Sequence, residues 1–142
     1  MTNLEGIYSG LSALAMIGWL ALALAPLQRT LVIAFARILA LLLAAAYLAQ
    51  FFLTTQHVDG GGFGTLAGVM LLFSAPGNVM MGWTHYLAFD LFIGSWEVED
   101  AARENIPHWL LLPCLFLTLM VGPVGLLLYF ALRLGKRRFF PA

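Results

Sequence analysis

Four runs of about twenty mostly apolar residues each dominate this chain, and they decide the solvent in which it folds. In hydrocarbon every backbone N–H and C=O must be paired within the protein, so a crossing segment is a helix or part of a closed barrel. The runs fall at about residues 7–25, 31–53, 77–96 and 107–132. Only 10% of the 142 residues are charged and 62% are apolar, whereas soluble domains carry about 25% charge. The pattern predicts an all-α fold: one integral membrane domain over 1–142, built as a four-helix transmembrane bundle.

The connections differ in kind. Pro26-Leu27-Gln28-Arg29-Thr30 is a tight turn, which makes the first two helices antiparallel neighbours. The stretch from Gln56 to Gly64 is glycine-rich and irregular. Thr65 to Phe73 is apolar but too short to span, and reads as a short interfacial or re-entrant helical segment before the third span. Trp96 to Ile106 reads as an acidic loop in which Glu99 and Glu104 are solvated. Pro113 and the Gly122-Pro123 pair are expected to kink the fourth helix.

Several classes of function are excluded at once. Net charge is zero and there is no basic stripe, so no nucleic-acid partner is expected. Cys114 is the single cysteine, which rules out an internal disulfide and a cysteine-rich metal site. The Gly60–Gly64 loop lacks the lysine and the context of a phosphate loop, and no serine has a nucleophile-elbow setting. The N-terminus has no positive flank, so the first run is expected to be a retained helix rather than a signal peptide.

The informative residues are the ionisable ones inside the apolar runs. A charged group near mid-bilayer costs at least about 2.5 kcal/mol, so it normally faces a partner or a cavity. His85 and Asp90 lie in the third run and Arg37 in the second. At 1.5 Å per residue, Arg37 and Asp90 each fall about 9 Å inside the same end, which predicts an Arg37–Asp90 ion pair. Tyr86 shares a face with Asp90, and Glu97 continues it seven residues on. Asn78 and Gln50 are expected at one depth, and Thr118 at the depth of His85. The expected cluster is His85, Tyr86, Asp90, Arg37 and Thr118, with Tyr47 at its upper edge. Glu97, Asp100 and His108 are expected to form a second polar rim above Asp90. The three histidines occupy three depths, and the i,i+5 spacing of His85 and Asp90 splays them by about 140°, so neither haem nor another metal is expected. Acid–base chemistry fits better, with histidine able to act near neutral pH and a carboxylate beside it.

Two stretches carry a resemblance. Ser74-Ala75-Pro76-Gly77-Asn78 followed by the run from Gly82 to Gly94, and Ile106-Pro107-His108 followed by Leu112-Pro113-Cys114-Leu115 and the run from Gly122 to Leu127, resemble the abscisic-acid-deficient-four-like family. The likeness covers most of the chain and is specific in its second half. It implies a small membrane protein that acts on, or with, a carotenoid. Plant members are required to form neoxanthin from violaxanthin, an isomerisation in which an epoxide opens and an allene forms without cofactor or net redox change. The resemblance implies His85 and Asp90 as the acid–base residues, with Tyr86 as helper. The plant pattern differs around Tyr86 and Phe89, and violaxanthin itself does not carry over to a chain that reads as bacterial.

The expected function is therefore cofactor-free acid–base isomerisation of a carotenoid or other isoprenoid in a polar intramembrane pocket. The alternative is a non-catalytic carotenoid- or lipid-binding protein that supports a partner enzyme. A channel or transporter would need a homo-oligomer, since the chain is short and has no internal repeat. With four spans, the Lys and Arg residues after the fourth helix predict both termini in the cytoplasm of a bacterial inner membrane.

Overall fold

The computed structural model describes residues 3–139, with side chains to 136, and these residues form six α-helices and no strand. Helix α1 spans Leu4–Ala23 and starts where the Asn3 side chain accepts the Gly6 N–H at 2.9 Å. One 3-10 turn, Ala25–Leu27, holds Pro26 and turns the chain into α2, Arg29–Leu53. Helix α3, Leu66–Leu72, is capped by Thr65 and meets α4 at 102°. Helix α4, Pro76–Arg103, has proline in its first turn, where no N–H is needed. Helices α5, His108–Val121, and α6, Pro123–Phe139, complete the chain.

Helix α4 is the axis of the molecule, with α1, α2 and α5 packed on it. Glycines set the close approaches. A Cβ on Gly18 would lie 2.8 Å from Leu91, and one on Gly94 would lie 2.6 Å from the Trp19 ring. Trp19, Leu22, Leu39, Leu43, Leu87 and Leu91 fill the resulting core.

The boundary expected at Trp96 is wrong. Helix α4 runs to Arg103, so residues 97–103 are helix rather than an acidic loop. The stop lies just beyond. Asn105 takes a left-handed φ of 54°, and the Ile106 N–H bonds the Ala101 carbonyl at 2.8 Å while the Asn105 N–H bonds Ala102 at 3.2 Å. That is the Schellman pattern, closed by the buried Ile106 side chain.

The fourth span is also corrected. Helix α5 passes Pro113 and stops at Gly122, whose φ of 27° and ψ of −86° no L side chain adopts easily. Pro123, which has no N–H to give, starts α6, and the chain turns back. Lys136 Nζ donates to the carbonyls of Glu104 (2.6 Å) and Asn105, beside the point where α5 began. The α5–α6 unit is thus a helical hairpin, not one crossing of 107–132. Gly125 makes it possible: a Cβ there would lie 2.1 Å from the Thr118 backbone nitrogen.

Two consequences follow. Helices α1 and α2 are each long and apolar enough to cross a membrane, and the bent α3–α4 pair makes a third candidate, while α5 has only 14 residues. By length and apolar composition, two or three segments among the described residues qualify as spans where four were expected. The start of α1 lies beside Thr54, Gln56 and Pro76, whereas Lys136 lies at the other end of α4. The two described ends of the chain thus lie near opposite ends of α4, not together as a four-span bundle would place them.

Candidate functional site

The seven-residue extension of α4 re-registers the partners that other helices were expected to bring to it. Arg37 does not meet Asp90. Its Nη2 donates to Glu99 Oε2 at 2.6 Å and its Nε to Ser95 Oγ at 3.3 Å. Glu99, expected to be solvated, is the partner that sequence reasoning missed, and Arg103 also pairs with it at 2.8 Å. His85 lies on a different part of α4, exposed, with its ring 4.6 Å from Phe89 and 5.8 Å from Tyr47. Imidazole, guanidinium and the Asp90 carboxyl therefore share no pocket.

Thr118 is not at the level of His85 either. Its hydroxyl donates to both carboxyl oxygens of Glu97, at 3.0 and 3.2 Å. Glu97 is fully buried, with 0% of its surface exposed. The expected rim of Glu97, Asp100 and His108 does not form. Asp100 accepts from the Tyr129 hydroxyl at 2.6 Å and pairs with Arg133 at 2.9 Å, while Arg133 also reaches Glu104 at 2.8 Å. His108 Nε2 donates instead to the Ala23 carbonyl at 2.9 Å, tying the start of α5 to the end of α1. One signal for this acidic column was in the sequence: Asp90, Glu97 and Glu104 repeat every seven residues on one face of α4.

Glu97 makes a direct test of how the hairpin is held. Thr118→Val keeps the shape but leaves a fully buried carboxyl without its hydroxyl. We expect a loss of about 3 kcal/mol, because an orphaned buried charged group costs more than a bond between neutral groups returns. Adding Glu97→Leu to Thr118→Val should recover most of that loss in thermal unfolding. A double variant less stable than Thr118→Val would show that the pair is not the hairpin's anchor.

At the opposite end, the polar groups are structural. Asn78 is buried, accepts the Gln56 N–H at 2.9 Å and donates to the carbonyls of Gln56 (2.9 Å) and Leu72 (2.8 Å), so one side chain holds both ends of the 56–72 connection. Gln50 pairs with Thr84 at 3.0 Å rather than with Asn78.

What remains for chemistry is Asp90 with Tyr86. Tyr86 donates to the Leu119 carbonyl at 2.5 Å and lies beside the Asp90 carboxyl, one turn further along α4. Asp90 Oδ2 is buried and has no hydrogen-bond partner. Both carboxyl oxygens lie 3.1 Å from where a Cβ on Gly122 would stand, so only glycine leaves them room. Helix α6 begins at the next residue, with the positive end of its dipole toward the carboxyl. The acid thus stands at the break of the hairpin with no Lys or Arg paired to it among the described residues.

A groove lies on the Tyr86 side of this pair. It holds about 330 Å³ between α1, α4 and α5, and Tyr8, Trp19, Trp83, Tyr86, Leu119 and Met120 line it. Tyr8, Trp83 and Tyr86 form an aromatic row with centroids 5.6 and 5.4 Å apart, and Ser12 fixes the Trp83 indole at 3.1 Å. The wall is largely apolar and flat-ringed, with the hydroxyl-bearing side chains of Ser12, Tyr8 and Tyr86 among its lining. Among the described residues no group of three or more His, Cys, Asp and Glu side chains is arranged to hold a metal ion.

No curated protein and no solved structure matches the chain significantly. The family model described as ABA DEFICIENT 4-like matches residues 7–129, a stretch that contains the aromatic groove, Asp90 and the α5–α6 turn, and the chain belongs to that family.

Proposed function

We propose that this protein is a cofactor-free isomerase of a carotenoid or related isoprenoid, working by proton transfer at Asp90 and Tyr86. The observation that carries the reading is the buried Oδ2 of Asp90, without a hydrogen bond among the described residues, beside a phenol that lines an aromatic groove. The free oxygen is an acceptor for a proton on carbon, and the phenol, on leaving the Leu119 carbonyl, donates its one proton to an oxygen of the substrate. In an epoxide-opening isomerisation, Tyr86 protonates the departing oxygen, Asp90 takes the carbon-bound proton, and the two exchange a proton afterwards. Atoms and electrons balance with no cofactor. The groove holds the chain and excludes water, which strengthens both transfers.

Expression in a carotenoid-producing host tests this directly. The expected result is a new pigment of unchanged mass, separated by chromatography and absent from the host alone. An unchanged pigment that co-purifies with the protein would assign it instead as a carotenoid binder.

We also propose an orientation. Arg29, Arg103, Arg133 and Lys136 all lie at the end of the molecule that holds the Ala25–Leu27 turn and Asn105, and among the described residues no Lys or Arg lies at the other. The positive-inside rule puts that end in the cytoplasm and the start of α1 outside. In intact cells a His57→Cys variant should react with a membrane-impermeant maleimide, and a Gln28→Cys variant only after permeabilisation. The reverse pattern would overturn the assignment.

A further inference from the structure

Arg37 is not fully used by its partners. Its Nε and Nη2 bond Ser95 and Glu99, but Nη1 makes no hydrogen bond among the described residues, and the side chain is 34% exposed. Arg103 holds the other oxygen of the same carboxylate at 2.8 Å. Two guanidiniums against one carboxylate leave a net positive charge on the α2–α4 seam. Glu99 is one turn from the end of α4, so the guanidinium has reached along its stem toward the headgroup level.

A second feature adjoins it. An apolar groove of about 240 Å³ lies between α2 and α4, lined by Ala40, Leu41, Ala44, Ala88, Phe89 and Phe92. Arg37 sits 5.8 Å over the Phe92 ring at its mouth. The alanines make the floor and the two phenylalanines the wall. From Arg37 the groove runs inward past Ala44, about 10 Å along α2. It lies between different helices from the Tyr86 groove.

We infer that this is a site for an anionic phospholipid, with the phosphate on Arg37 and Arg103 and one acyl chain in the groove. A phosphate oxygen satisfies the open Nη1 and matches the guanidinium fork, and the excess positive charge favours an anionic headgroup over a zwitterionic one. A second copy of this chain is the competing occupant, since small residues allow helices to approach closely. It would cover the open donors of Arg37 without an acceptor, because the groove offers none.

The test uses the whole chain in nanodiscs of equal phosphatidylglycerol and phosphatidylcholine, with the lipids that stay bound counted by native mass spectrometry. Phosphatidylglycerol should be retained about three- to fivefold over phosphatidylcholine, the scale of a part-exposed charge pair. Arg37→Gln should abolish the preference. Ala44→Phe, which fills the groove and leaves the Arg37–Glu99 pair intact, should abolish it too. Glu99→Gln, which removes the competing carboxylate, should raise it. Equal retention by the wild type, a preference unchanged in Ala44→Phe, or a dimer that displaces the lipid would each overturn the site.

Discussion

Asp90→Asn is expected to lower the isomerisation rate by about 10²- to 10⁴-fold, the range a positioned proton-transfer group supplies. Asparagine keeps the shape and still offers a short polar group at the start of α6, so the protein should extract and unfold like the wild type. What disappears is the acceptor: Oδ2 is the buried oxygen that no protein group occupies. Tyr86→Phe should cost less, because it removes one donor and leaves the base and the groove. His85→Ala should cost least of the three, since that ring packs on Phe89 and Tyr47 away from the groove. The check is product formed per unit of folded protein in the carotenoid-producing host, with thermal unfolding measured in parallel. Full activity in Asp90→Asn would remove the acid–base reading whatever the pigment profile.

Gly125→Ala is expected to be among the most destabilising single methyl additions in the chain. Its Cβ would stand 2.1 Å from the Thr118 nitrogen and 2.2 Å from Thr118 Oγ1. The first of these is backbone and cannot swing away, so α5 and α6 must part. Overpacking of this kind costs about 1–3 kcal/mol and here more, because Thr118 is also drawn off the buried Glu97. Against a total of about 5–15 kcal/mol, the hairpin should open well before the rest of the protein melts. Gly135→Ala is the internal control. Nothing lies within 4 Å of its Cβ and its backbone is helical, so alanine there should be neutral or stabilise by about 0.5–1 kcal/mol. Limited proteolysis at the α5–α6 turn and thermal unfolding in detergent read both. Equal melting of the two variants would mean that the close crossing of α5 and α6 is absent.

The depth comparison across helices used sound geometry on one wrong boundary. Taking Trp96 as the end of the third helix put Asp90 opposite Arg37 and His85 opposite Thr118. The helix ends at Arg103, two turns further on, and the partners also lie further along it: Ser95 and Glu99, beyond Asp90, for Arg37, and Glu97, well beyond His85, for Thr118. Acidic residues at 97, 99, 100 and 104 read as a loop by composition. They are helical because Arg37, Thr118, Tyr129 and Arg133 come to them from distant parts of the chain. The Tyr86–Asp90 pair survived this shift because it lies within one helix, where i,i+4 spacing fixes a common face in any register.

By itself the sequence determined what depends on local order alone: apolar helices of membrane type, the Pro26 turn, the short helix before α4, a disturbance of the helix at Gly122-Pro123 (read as a kink, found as a break), and the shared face of Tyr86 and Asp90. Each follows from hydrophobic run length, from proline's missing N–H or from helical period. The tertiary structure decided the rest: that the last two helices fold back instead of crossing, that the chain's ends part, and which carboxyl meets which cation. Those outcomes rest on a methyl-sized gap at Gly125 and on side chains up to 62 residues apart closing the same bond, and no local pattern encodes the position of a distant partner.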